Sequence, residues 1–155
     1  MDSYLLLKTI HLVGAVLFIG NIIITGWWKF MADATRDPRI IGFAQRQVTL
    51  TDWVFTFGGV VLVGIGGIGN AELHDMPLNT PWLALGSALF IASGIIWIAI
   101  LIPLQMKLGR MAKVFAGGGT IPPAYWRLEK LWAIFGVLAT LLPLANIPVM
   151  VFKSI

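Results

Sequence analysis

The sequence predicts an all-α integral membrane protein, a four-helix bundle with both termini on the outer, periplasmic side. Three observations carry that prediction. Of the 155 residues 58% are hydrophobic and only 12% are charged, against about 25% charged in an ordinary soluble domain. Four long apolar runs recur along the chain. The basic residues cluster in two of the three connections between them.

The runs cover about Tyr4–Trp28, Trp53–Ala71, Pro81–Leu104 and Trp132–Phe152. Each is long enough to cross about 30 Å of hydrocarbon at about 1.5 Å per residue. Each is apolar on nearly all faces, as lipid requires of a helix, and none shows the short alternating segments of a membrane barrel. Together they form a single four-span domain over residues 1–155.

The first run begins after Met1-Asp2-Ser3, which carries no positive charge. It is also longer than the apolar core of a signal peptide, so a retained helix is expected. Between the first two runs lie Lys29, Arg36, Arg39 and Arg46, and the segment Pro38–Thr51 reads as a surface helix leading into the second span. Asp52 or Thr51 suits the N-cap of that span.

Gly58, Gly59, Gly64, Gly66, Gly67 and Gly69 crowd the second run. Small residues let helices approach closely in lipid; the sharper alternative is room for a flat cofactor. The connection Ala71–Thr80 has no basic residue. The third helix is expected to continue through Gln105–Phe115 and stop at Gly117-Gly118-Gly119. Pro122-Pro123 suits the first turn of the last helix, and Pro103, Pro143 and Pro148 should leave carbonyls in need of partners.

Lys107, Arg110, Lys113, Arg127 and Lys130 fill the third connection, so nine of eleven basic residues share one side. The positive-inside rule makes that side the cytoplasm, and a bacterial inner membrane the expected location. The net charge of +4 therefore reads as an orientation signal. It does not form the basic, aromatic-interleaved surface that nucleic acid would need. Arg46 with Asp52, and Arg127 with Glu129, are candidates for a charged cluster beneath the bundle. With no cysteine, thiolate metal sites and cysteine nucleophiles are excluded. No nucleophile–base pair or paired carboxylate marks a catalytic site.

His11 is the principal candidate residue. It lies about 10 Å into the first span, where ionisable groups are rare and default to a functional reading. Gly14, Ala15 and Phe18 share its face, which suggests a groove with small neighbours. A neutral imidazole there could ligate haem iron or another transition metal; the plainer reading is a packing histidine bonded to a neighbouring helix. Lys8 snorkels to the headgroups or pairs with a porphyrin propionate. His74 and Met76, on the outer connection, are candidate metal ligands beside His11, and such a set would suit haem or copper. A cytochrome with two bis-histidine haems needs four span histidines, and this chain has one. A homodimer would supply a second.

The stretch His11-Leu12-Val13-Gly14-Ala15-Val16-Leu17-Phe18-Ile19-Gly20-Asn21 resembles the first-helix signature of domain-of-unknown-function family 2269, small bacterial membrane proteins with four helices. Leu50-Thr51-Asp52-Trp53-Val54-Phe55-Thr56, and Trp97 followed by Gln105, fit it too. That family looks distantly similar to HemJ-type protoporphyrinogen oxidases and to the membrane domain of the copper-resistance protein CopD. The HemJ resemblance implies haem b held by a first-helix histidine, a position that His11 matches. In HemJ the first helix continues through a Trp-x-Gly-Leu stretch to a Pro-Arg pair; here the region reads Phe18-Ile19-Gly20-Asn21, without the arginine. Cofactor binding, with electron transfer to a quinone or redox partner or with porphyrin oxidation, is thus one expectation. A CopD-type metal or solute handler is a second, and a membrane interaction subunit is a third.

Overall fold

A computed structural model describes residues 3–153. Met1 and Asp2, noted above as carrying no positive charge, lie outside the described residues. Four long helices make up the chain: α1 (Ser3–Ala34), α2 (Pro38–Leu73), α3 (Pro81–Phe115) and α4 (Pro123–Phe152). All four are long and apolar enough to span a membrane. No strand occurs among the described residues.

The helices exceed the expected spans at one end. With 36 residues α2 rises about 54 Å, well beyond about 30 Å of hydrocarbon. The surplus comes from Pro38–Thr51, which is not a separate surface helix. It runs on into the second span through a π turn at Asp52–Thr56. Its apolar stripe, Ile41, Ala44 and Val48, is buried against the other helices, with Gln45 beside it. The N-cap of α2 is Asp37, whose carboxylate accepts the Arg39 amide at 2.8 Å. Asp52 therefore caps nothing; it stands inside a continuous helix.

The third helix behaves as the sequence suggests, passing through Gln105 to Phe115 before the glycine run. It too contains a π turn, at Trp97–Leu101, immediately before Ile102-Pro103. The last helix starts at Pro123. Pro143 has no amide to give the carbonyl four residues earlier, and Ser93 Oγ donates to that carbonyl, Ala139 O, at 2.8 Å. A proline-freed acceptor is thus satisfied from the neighbouring helix, as lipid demands.

The two ends of the bundle pack differently. At the basic end the N-terminal half of α2 lies between α1 and the C-terminal half of α3, which meets α4, which returns to α1. That ring encloses Ile41, Leu108, Ala112, Phe115 and Tyr125, the most deeply buried apolar cluster. At the terminal end only two pairs form, α1 with α2 and α3 with α4. There no Cα of Phe57–Leu73 comes within 8 Å of α4 or of Pro81–Ile96, and none of α1 comes within 8 Å of Pro81–Ile96. Close-packed helices, with axes about 8–10 Å apart, would do so. Phe18 and Phe90 bridge the pairs edge to face, centroids 6.0 Å apart.

Candidate functional site

The buried face of α1 runs through Gly14, Phe18, Asn21, Thr25, Lys29 and Ala32, at spacings of three or four. His11 continues this stripe one turn toward the terminus. It brings polar groups to three levels of the bundle.

At the terminal level, His11 Nδ1 lies 2.9 Å from the carbonyl oxygen of Val63 on α2. A carbonyl only accepts, so Nδ1 carries a proton, and in the neutral imidazole Nε2 keeps the lone pair. Nε2 makes no hydrogen bond among the described residues. Gly67 makes room for the ring, because a Cβ there would stand 3.3 Å from Cε1 and Nδ1. The neighbouring glycines serve the helix contact. A Cβ on Gly14 would meet Val63 N at 2.7 Å, and one on Gly59 would meet Gly14 O at 2.7 Å. In place of the open groove expected around Gly14, the α2 backbone fills the space. Phe18 is buried in the same seam.

The other expected partners of His11 do not gather round it. His74 Nδ1 bonds Asn70 O at 3.0 Å, and its ring packs edge-on against Tyr4, seven residues and about 10 Å of helix rise from His11. Met76 lies beyond it, its amide bonded to Ala71 O. Lys8 is exposed and donates to the Tyr4 hydroxyl at 3.3 Å. No group of three His, Cys, Asp or Glu side chains able to hold a metal occurs among the described residues.

At the middle level, Asp52 is 9% exposed and bound by three helices. Its Oδ1 accepts from Asn21 Nδ2 at 3.1 Å and from Thr56 Oγ1 at 3.0 Å. Its Oδ2 accepts from Gln105 Nε2 at 3.1 Å. Asn21 also donates to Thr56 Oγ1 at 2.9 Å. The π turn supplies the geometry, since the Phe57 amide bonds Asp52 O and Asp52 and Thr56 both face inward. Turns of this kind recur at functional sites. Arg46 is not the partner of Asp52; its guanidinium lies over the Phe43 ring.

At the basic end, Lys29 is 1% exposed. Its Nζ contacts Asp33 at 2.5 Å, Glu129 at 3.0 Å and the Tyr125 hydroxyl at 2.9 Å. The expected pairing of Glu129 with Arg127 gives way to this buried one. Arg36 stacks over Trp126 at 4.2 Å. The cluster joins α1 to α4 and closes the ring of helices. Sequence reasoning took Lys29 only as an orientation charge; its place on the stripe of Phe18, Asn21 and Thr25 was the available signal.

Residues 5–154 match the family model described as predicted integral membrane protein (DUF2269). No curated protein and no solved structure matches the chain. The chain belongs to the DUF2269 family of predicted integral membrane proteins, and its four apolar helices make it a multi-pass membrane protein.

Proposed function

We propose that this DUF2269 protein binds haem b, or a related iron tetrapyrrole, through His11 Nε2 in the terminal half of the bundle. The observation that supports this reading is the bond from Nδ1 to Val63 O. Metal-ligating histidines commonly donate their second nitrogen to a backbone carbonyl, which fixes the tautomer and makes the free nitrogen a better ligand. The donor chemistry fits such a group, because Nδ1 is held by Val63 O and Nε2 is left to bind. His11 would hold the iron, and Phe18 would present an apolar edge where the two helix pairs diverge. The group, when bound, supplies one-electron redox chemistry. The chain itself contributes a fixed imidazole and a water-poor surround.

By the positive-inside rule the basic end faces the cytoplasm and His11 the outer half of a bacterial inner membrane. A homodimer would carry two such sites. The copper reading is less supported, because His74 and Met76 do not gather round His11.

Visible spectra of the purified protein, oxidised and dithionite-reduced, test the proposal beside His11→Ala, His11→Gln and the control His74→Ala. A Soret band that shifts on reduction, persists in His74→Ala and disappears in both His11 variants is the expected result. A featureless spectrum from well-folded protein expressed with ample haem overturns it and leaves His11 as a packing donor to α2.

A further inference from the structure

The middle level holds a feature that the His11 reading does not use. Between α2 and α3 lies a crevice of about 200 Å³ whose lining includes Asp52, Gln105, Thr49, Trp53, Trp97 and Met106. Trp53 and Met106 are more than half exposed, so the crevice opens sideways on the outer surface of the bundle. Trp53 and Trp97 stand 6.5 Å apart, centroid to centroid, inclined at 60°. Each wall includes part of a π turn, Asp52–Thr56 in α2 and Trp97–Leu101 in α3. Two neighbouring helices thus depart from α geometry at one place.

The charge balance there is incomplete. At the basic end the fold pairs its buried lysine with two carboxylates. Asp52, nearly as deep, has only neutral donors, and no Lys, Arg or His among the described residues makes an ion pair with it. A carboxylate taken out of water without a cation is costly.

The geometry points to a binding site for a small alkylammonium group, with Asp52 as counter-ion and Trp53 and Trp97 as the aromatic walls. Three features select that chemistry. Indole faces attract organic cations, most strongly where water is excluded. A bare metal ion such as calcium or magnesium prefers a shell of oxygens, whereas much of this lining is indole and thioether, and the amides nearest Asp52 direct N–H groups at it. The site also lies at the bilayer edge. The apolar run of α2 begins at Trp53, so Asp52 sits at headgroup depth, where a lipid amine or a free cation from the aqueous side can both reach it.

The test uses the whole protein in dodecyl maltoside, titrated with tetramethylammonium chloride at fixed ionic strength and followed by calorimetry and tryptophan fluorescence. tert-Butanol, a neutral molecule of similar bulk, is the control. Saturable binding of the cation and none of the alcohol is expected. Asp52→Asn should weaken binding at least tenfold while keeping most of the local hydrogen bonds, and Trp97→Leu about three- to tenfold. If Asp52→Asn does not give monodisperse protein, Trp97→Leu decides, because it leaves the Asn21–Asp52–Gln105 bonds untouched. Repeating the titration in nanodiscs separates the two sources. Competition by phosphatidylethanolamine, absent with phosphatidylglycerol alone, identifies a lipid headgroup; equal binding in both identifies a free solute. No saturable binding, equal binding of the alcohol, unchanged affinity in the folded variants, or displacement by sodium at equal concentration overturns the assignment. None of these readouts depends on His11.

Discussion

The two ends of this bundle solve the problem of holding helices together in lipid by different means. Water-driven collapse is not available between membrane helices, which leaves close packing and interhelical hydrogen bonds. The basic half uses side-chain bonds, which tie α1 to α4 through Lys29 at its end and α1 to α2 and α3 through Asp52 at the middle level. The terminal end uses backbone approach, with Gly14, Gly59 and Gly66 drawing α1 onto α2. That device joins helices two at a time and leaves the pairs apart. The half that carries His11 is consequently the half with fewer cross-links between pairs, and a bound group can reach it with less disruption.

Removing one side of the polar brace should do the most harm. Lys29→Met leaves the buried Glu129 and the partly buried Asp33 without a cation, and a loss of about 3–5 kcal/mol is expected. Thermal unfolding in detergent will show it as a large fall in Tm. Neutralising the whole cluster, with Lys29→Met, Asp33→Asn and Glu129→Gln together, should recover much of that loss.

The glycine seam gives the next largest effect, at the opposite end. A Cβ on Gly66 would stand 2.6 Å from His11 N, while Gly64 on the same helix has open space. Gly66→Val should therefore cost about 1–3 kcal/mol or more, and Gly64→Ala should be neutral or slightly stabilising. Paired melting curves check this contrast. Equal effects of the two would contradict a packing role for the seam.

A smaller change of opposite sign is expected within the basic end. Gln45 is buried, and its amide nitrogen and oxygen both lack a partner among the described residues. Gln45→Met keeps the bulk, removes the unsatisfied groups, and should raise stability by about 1–2 kcal/mol. The same melting assay measures it.

These contrasts mark what the sequence made legible. The presence of four apolar helices, the end of α3 before Gly117, the start of α4 at Pro123 and the close packing at Gly59, Gly66 and Gly69 follow from local composition, and each matches the structure. Ser93, which answers the proline-freed carbonyl at Ala139, was beyond reach because its partner lies 46 positions away. Asn21, Asp52 and Gln105 are likewise separated by 31 and 53 residues, so no spacing rule joins them. The π turns hid Asp52 further. An extra residue in a turn breaks the 3.6-residue period, and a carboxylate ahead of an apolar run then looks like a cap. His11 stood out by its depth alone, while its tautomer became readable only once Val63 was placed opposite.

The division between the two ends can be measured directly, because the chain has no native cysteine to interfere with spin labelling. Labels at the exposed positions Ile68 and Leu85 report the separation of α2 from α3 at the terminal end. Labels at Phe43 and Val114 report it at the basic end. Pulsed electron spin resonance in nanodiscs should give a narrow distance distribution for the basic pair and a clearly broader one for the terminal pair. Equally narrow distributions at both ends would contradict the account, since the half that holds His11 would then be as firmly closed as the half held by Lys29 and Asp52.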